Sequence, residues 1–147
     1  MWWRKSATYS TRPKPRKRSS SRFKTRAPWF PRLLRVYGWS MAPVLNPGEV
    51  VVVREGAYQH RDPRRGDIVA ARPTACPGKA LVKRITGLPY ERIVIDDREW
   101  CLGREEFFLL GDQQAQSTDS RAFGPVKRHE LVGPVRLRLW PWTIFPT

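Results

Sequence analysis

From Val36 onward the chain reads as short apolar strands separated by turn formers. "EVVVVRE" (49–55) is a strand opened by the Asn46-Pro47-Gly48 turn. "GDIVAAR" (66–72) follows Pro63 as a second strand, and "KALVKRITG" (79–87) makes a third. "ERIVID" (91–96) and "EEFFLLGD" (105–112) follow, and "GPVRLRLW" (133–140) alternates apolar and polar with period two. One short helical turn is expected around "PVKRHELVG" (125–133), and nothing repeats internally. The pattern predicts an all-β domain with little helix around one hydrophobic core.

The segment before this body has a different composition. Residues 1–27 are rich in Ser, Pro, Arg and Lys and hold too little apolar surface to offset ordering, which predicts a disordered basic arm. The body then runs over 28–147. "PWFPRLLRVY" (28–37) is apolar and basic; it suits a membrane interface or a lead into the first strand.

Charge sharpens the division. The chain of 147 residues carries a net +15, which suggests nucleic acid until its distribution is read. Residues 1–48 contain 12 basic residues and no acid, whereas the rest holds 16 basic and 13 acidic side chains, about +3. The charge therefore belongs mostly to the arm, which reads as a solubilising tail or, more sharply, as attracted through residues 1–35 to an anionic surface such as a membrane, while the near-neutral body argues against a nucleic-acid partner. No apolar run approaches the ~18 residues of a membrane span, and no secretory h-region precedes Pro28. Cys76 and Cys101 stand 25 apart without a CxxC or nearby His, so a metal site is not expected, and two buried free thiols are.

The candidate chemistry starts at "GWSMAPVL" (38–45). Ser40 lies between Gly38, which permits an unusual φ, and Pro43, which fixes the chain after it. A serine hydroxyl needs a base to become a nucleophile. His60 and His129 both sit in charged, polar surroundings, so a Ser-His-Asp triad is not favoured. Lys83 is the alternative: alternation along "ALVKRITG" puts it on one face with Leu81 and Ile85. Such a lysine either snorkels out or is desolvated, and desolvation lowers an amine's pKa by up to ~3–5 units. A third segment, "GDQQAQSTDSRAFGPV" (111–126), reads alone as a surface loop, but offers Ser117, Asp119, Ser120 and Arg121 within five residues.

Taken in order, four boxes resemble the signal peptidase I family of Ser/Lys endopeptidases: "GWSMAPVL", "RRGDIVAAR", "LVKRITGLPYERI" and "LLGDQQAQSTDSRAFGPV". The resemblance covers about residues 36–135. It implies the compact antiparallel β-domain of that family. It assigns Ser40 as nucleophile and Lys83 as general base. Ser117 would orient the amine, and Asp119, Ser120 and Arg121 would brace the loop. Gly38, Met41 and Pro43 would belong to the substrate groove or the oxyanion hole, where Gly38 replaces a second oxyanion serine of some members. It implies no metal or other cofactor. The partner would be the N-terminal leader or signal region of a precursor protein, bound as an extended strand. Membrane association is expected from the family, although typical members carry an N-terminal span. The short soluble proteases that mature nickel superoxide dismutase precursors are similar in size, and that subtype would be cytoplasmic. A non-enzymatic basic β-domain binding nucleic acid is the remaining alternative, and the near-neutral body argues against it.

Overall fold

A computed structural model describes the chain over residues 30–78 and 80–146. The expected disordered arm, 1–27, lies outside the described residues. The β-rich expectation holds. Among the described residues, ten strands form an eight-stranded antiparallel sheet system and a separate two-stranded hairpin, with one four-residue α-helix. No described helix is long and apolar enough to cross a membrane.

The first strand, β1 (Phe30–Arg35), uses the segment that also suited a membrane interface; Leu34 packs on the core and opposes Val51 of β2 (Val50–Glu55). The order across the main path is β1-β2-β9-β3-β4-β7-β8. The remaining members of that path are β3 (Ile68–Ala71), β4 (Leu81–Gly87), β7 (Glu106–Leu110), β8 (Val126–Lys127) and β9 (Leu131–Arg138). Strand β9 is the hub. It pairs with β2 through Val51, Val52 and Val53, with β3 through Val69 to Ala71, and with the short β10 (Thr143–Ile144). Pro134 is tolerated in this central strand beside irregular registers on both flanks. Gly133 beside it is required by contact: a Cβ there would collide with the Arg54 carbonyl of β2.

The apolar interior is divided by the sheet rather than single. Val36, Met41, Leu45, Val51, Val53 and Val135 form one cluster under β1 and β2. Val69, Ile85, Phe107, Leu109 and Val126 lead a second on β3, β4 and β7. Leu102, Phe108 and Leu110 form a third beneath the separate hairpin of β5 (Arg92–Ile95) and β6 (Arg98–Cys101). Strand β6 was not expected, because "DDREWC" is polar on one face. Its Trp100 nevertheless anchors the hairpin on Phe108, ring to ring at 4.9 Å. Asp96 and Asp97, both at positive φ, make the two-residue turn that suits a right-twisted hairpin.

Two further expectations change. The segment 125–133 is not a helical turn throughout: it splits into β8, a 3₁₀ turn at Arg128–Glu130 and the start of β9. Glu130 closes that turn by accepting the Lys127 N–H at 2.6 Å. Cys76 and Cys101 are free, but half-buried and exposed respectively instead of buried. Cys101 is exposed because its two-stranded hairpin has only one covered face.

Candidate active site

The Ser40 loop joins β1 to β2 and is shaped by its own backbone. Ala42 N–H donates to the Trp39 carbonyl at 3.0 Å, and Leu45 N–H to the Met41 carbonyl at 2.9 Å. Met41 and Leu45 are buried in the first cluster and fix the loop from beneath. Gly38 takes φ +72°, and the Ala42–Pro43 peptide is cis. Ser40 is half-buried, and its carbonyl accepts the Gln113 N–H at 2.9 Å. That bond ties the serine loop to the segment after β7.

Lys83 is in the middle of β4, with Val69 opposite it on β3. Alternation turns it to the interior with Ile85; Lys83 is 3% exposed. It does not snorkel. Its Nζ lies 2.6 Å from Ser40 Oγ. Burial pushes the amine below the ordinary lysine value, Asp119 opposes that shift, and Arg121 adds to it. The box before β3 braces this strand. Asp67 is buried, accepting from Tyr58 Oη at 2.8 Å, Arg61 Nη2 at 3.0 Å and Arg64 N at 3.1 Å. Its carbonyl receives the Ile85 N–H at 2.9 Å. Burial first, and then the Asp67 charge, push the Tyr58 hydroxyl pKa upward.

The 111–126 segment is no ordinary surface loop. Asp119 and Ser120 are fully buried. Asp119 accepts from Gly111 N at 3.1 Å, from Arg121 Nε at 2.9 Å and Nη2 at 3.0 Å, and caps α1 (Ser120–Phe123) through Arg121 N at 3.2 Å. Burial alone would raise this carboxyl. The bonds from Arg121, Ser117 and the two backbone amides outweigh it and hold the pKa below the usual value. Ser120 Oγ accepts the Leu109 N–H at 2.9 Å, locking the helix onto β7. Ser117 Oγ is buried without a well-formed hydrogen bond, though near enough to Asp119 to help depress it. It stands beside Gly111 and the Ser40 carbonyl.

Sequence reasoning passed over Gly111. A Cβ there would lie 2.5 Å from the Ser40 carbonyl oxygen and 2.6 Å from Ser117 Cβ. The signal was available: a glycine directly after four apolar residues, at the point where two loops must meet. Also missed was the Arg84–Asp112 pair, bonded twice at 2.7 Å, with Arg84 Nη1 also donating to the Gly66 carbonyl at 2.9 Å. It locks β4 to both flanking loops from the face opposite Lys83.

A cleft of about 220 Å³ opens beside the pair, lined by Arg35–Tyr37 and Ser40–Met41 on one wall and Ala80–Lys83 on the other. Of the three residues expected at the substrate groove or the oxyanion hole, Met41 lines this cleft, and Gly38 and Pro43 lie in the same loop outside its lining. Strand β7 pairs with β4 only from Arg84 onward, so among the described residues Leu81–Lys83 has no strand on that edge. A larger depression of about 920 Å³ lies between Glu55–Gln59 and Lys127–Val132 and contains neither Ser40 nor Lys83. Its charges are largely spoken for: Glu130 by backbone N–H groups, Arg128 by Asp62 and two carbonyls. His129 faces it, and neither histidine lines the Ser40 cleft.

A half-buried serine hydroxyl within hydrogen-bond reach of a buried lysine amine has the geometry that a nucleophile and a base without histidine would need. The family model of signal peptidases (peptidase S26) matches residues 26–103 and 98–140, and the chain belongs to this family. It is 35% identical over 118 residues to the mitochondrial ATP-independent inner membrane protease subunit 1b of Arabidopsis thaliana, covering 74% of this chain and 70% of that one. It is 30% identical to signal peptidase I of Leptolyngbya laminosa (69% and 65% covered) and 31% identical to that of Bacillus caldolyticus (75% and 80%).

Proposed function

We propose that this protein is a Ser/Lys endopeptidase that removes the N-terminal signal or leader peptide of a precursor protein through an acyl-enzyme on Ser40. The observation that carries the reading is the 2.6 Å approach of a buried, pKa-lowered Lys83 amine to Ser40 Oγ.

The precursor enters the cleft as an extended segment and adds to the open edge of Leu81–Lys83, where main-chain bonds give affinity without reading sequence. The cleft's small volume admits small side chains ahead of the cut. Neutral Lys83 accepts the Ser40 proton as Oγ attacks the scissile carbonyl carbon. Charge collects on the carbonyl oxygen. The Ser40 N–H, which has no acceptor among the described residues, is one donor for it. The tetrahedral species collapses, the C–N bond breaks, and the new amine leaves with the proton from Lys83. Water then gives a proton to Lys83 and attacks the Ser40 ester, releasing the leader carboxylate and regenerating the hydroxyl. Asp119 and Arg121 hold the loop that carries Ser117 beside the dyad.

The test is cleavage of a precursor-like peptide with Ala-x-Ala before the cut by wild type, Ser40→Ala and Lys83→Met. Each substitution should lower kcat at least about 10³-fold while far-UV dichroism stays unchanged, as expected for members of one catalytic unit. Equal cleavage by all three would overturn the mechanism.

A further inference from the structure

We propose that Arg35 is a specificity-determining residue that selects precursors carrying an acidic side chain two residues before the scissile bond. The inference deepens the proposed function and rests on its placement of the leader in the cleft beside Ser40. It uses a side chain to which the catalytic account gives no role.

The cleft is an apolar slot with one uncommitted charge. Val36, Met41, Ala80, Leu81 and Val82 supply most of its lining, and no carboxylate among the described residues contributes to it. Its two charged residues are Lys83 and Arg35. The Lys83 amine is buried and bonded to Ser40 Oγ. Arg35 is exposed and in no ion pair among the described residues. Its Nε makes one long bond, 3.4 Å, to the Gly48 carbonyl. That contact steadies the stem and leaves the two terminal nitrogens to a ligand. The carboxylates of neighbouring segments are engaged elsewhere: Glu49 by Arg138, Asp112 by Arg84 and Asp119 by Arg121. An apolar site with few polar groups takes its specificity from where those groups stand.

Alternation decides which residue of the leader meets the guanidinium. Leu34 and Val36 pack on the first core cluster, so Arg35 between them faces away from it and stands at the rim of the cleft. An extended leader alternates in the same way. The side chains first and third before the cut turn down together towards Val36 and Met41, where a volume of about 220 Å³ admits small groups. The second turns up to the rim. There an Asp or Glu carboxylate meets Arg35 in the two-pronged geometry that a guanidinium offers. A Lys in the same place meets a like charge.

The size of the effect follows from exposure. An ion pair in open water is worth little because solvent screens it, whereas a charge-assisted bond shielded on one side by the bound peptide is worth more. Exchanging Glu for Lys at this position loses an attraction and adds a repulsion, which should change affinity about tenfold. The basic residues of 1–27 also attract acidic peptides, but without regard to where the carboxylate stands. Dependence on position therefore separates Arg35 from the arm.

The experiment measures binding of fluorescent leader peptides to the full-length Ser40→Ala chain, which holds a substrate without cutting it. The peptides share Ala at the first and third positions before the cut and carry Glu, Gln or Lys between them. In a further peptide the Glu is moved to the far side of the cut, several residues away. The Glu peptide should bind about tenfold more tightly than the Lys peptide and at least about threefold more tightly than the displaced-Glu peptide, with both differences shrinking at about 0.5 M salt. Adding Arg35→Gln should remove this order and Arg35→Glu should invert it, a reversal that mere loss of structure cannot produce. Equal affinity for the Glu, Gln and Lys peptides would overturn the proposal, as would a chain that binds none of them or an order unchanged by Arg35→Gln. Equal benefit from Glu at either place would give the attraction to the basic arm and overturn it too. Binding needs no acyl transfer. A wild type that cleaves none of these peptides would therefore count against the proposed reaction, while the order of affinities still decides the role of Arg35.

Discussion

Lys83 shows how one side chain can set both rate and stability. Its amine must be neutral to accept the Ser40 proton, so the acid limb of kcat/KM should titrate below the ordinary lysine pKa of ~10.4. The sign for stability follows from the same shift. Between the lowered folded pKa and the ordinary unfolded one, the unfolded chain binds the extra proton. Stability contributed at Lys83 therefore rises with pH across that window, and the full penalty applies below it. Lys83→Met should raise the melting temperature by about 2–4 °C or more at pH 6, with a smaller gain at pH 9. A melting temperature lowered equally at both pH values would mean that the amine is not held against its solvation. Gly111 argues differently, through contact. Gly111→Ala should cost more than about 10²-fold in activity, because its Cβ must displace the Ser40 carbonyl or the Ser117 side chain. Assay of the folded variant checks it; near-normal kcat would show that the serine loop can yield.

At the scale of elements, the helix after β7 is held by one carboxylate. Asp119 collects four protein donors, two of them from the Arg121 guanidinium. Asp119→Asn should destabilise by about 2–4 kcal/mol, near the range for breaking a buried pair. Its carboxyl is lowered in the fold, so its stabilising contribution is present above the unfolded value of ~3.9 and lost as pH falls through the folded value. Denaturant melts at pH 7 and at pH 3 should show the variant's deficit shrinking at the lower pH. A deficit independent of pH would assign the effect to packing alone. The elements differ in how legible they were. Strand β4 was readable because its alternation already put Lys83 beside Leu81 and Ile85. Helix α1 was not: four residues have no periodicity, and the cap and salt bridge that hold it are made at short range by polar side chains that read as loop. Strand β1 was ambiguous because two prolines stand near it. An edge strand tolerates Pro31, and only pairing with β2 decides the matter.

For the whole molecule, composition was legible in outline and misleading in detail. The division of charge between residues 1–48 and the remainder pointed away from nucleic acid. The same reading expected one core, whereas the sheet separates three clusters, a consequence of strand order that no local pattern encodes. The meeting of Ser40 with Lys83, 43 residues apart, likewise depends on β1 and β4 lying on opposite sides of one cleft. Four sequence boxes in order suggested that meeting, and spacing alone could not have done so. The buried amine has one more consequence, for chemical labelling. An amine whose pKa is lowered by burial is unprotonated more often than an ordinary lysine, and so meets electrophiles sooner. Cyanate, which carbamoylates only the unprotonated form, should modify Lys83 well ahead of the exposed Lys127, silencing the enzyme with a single small adduct.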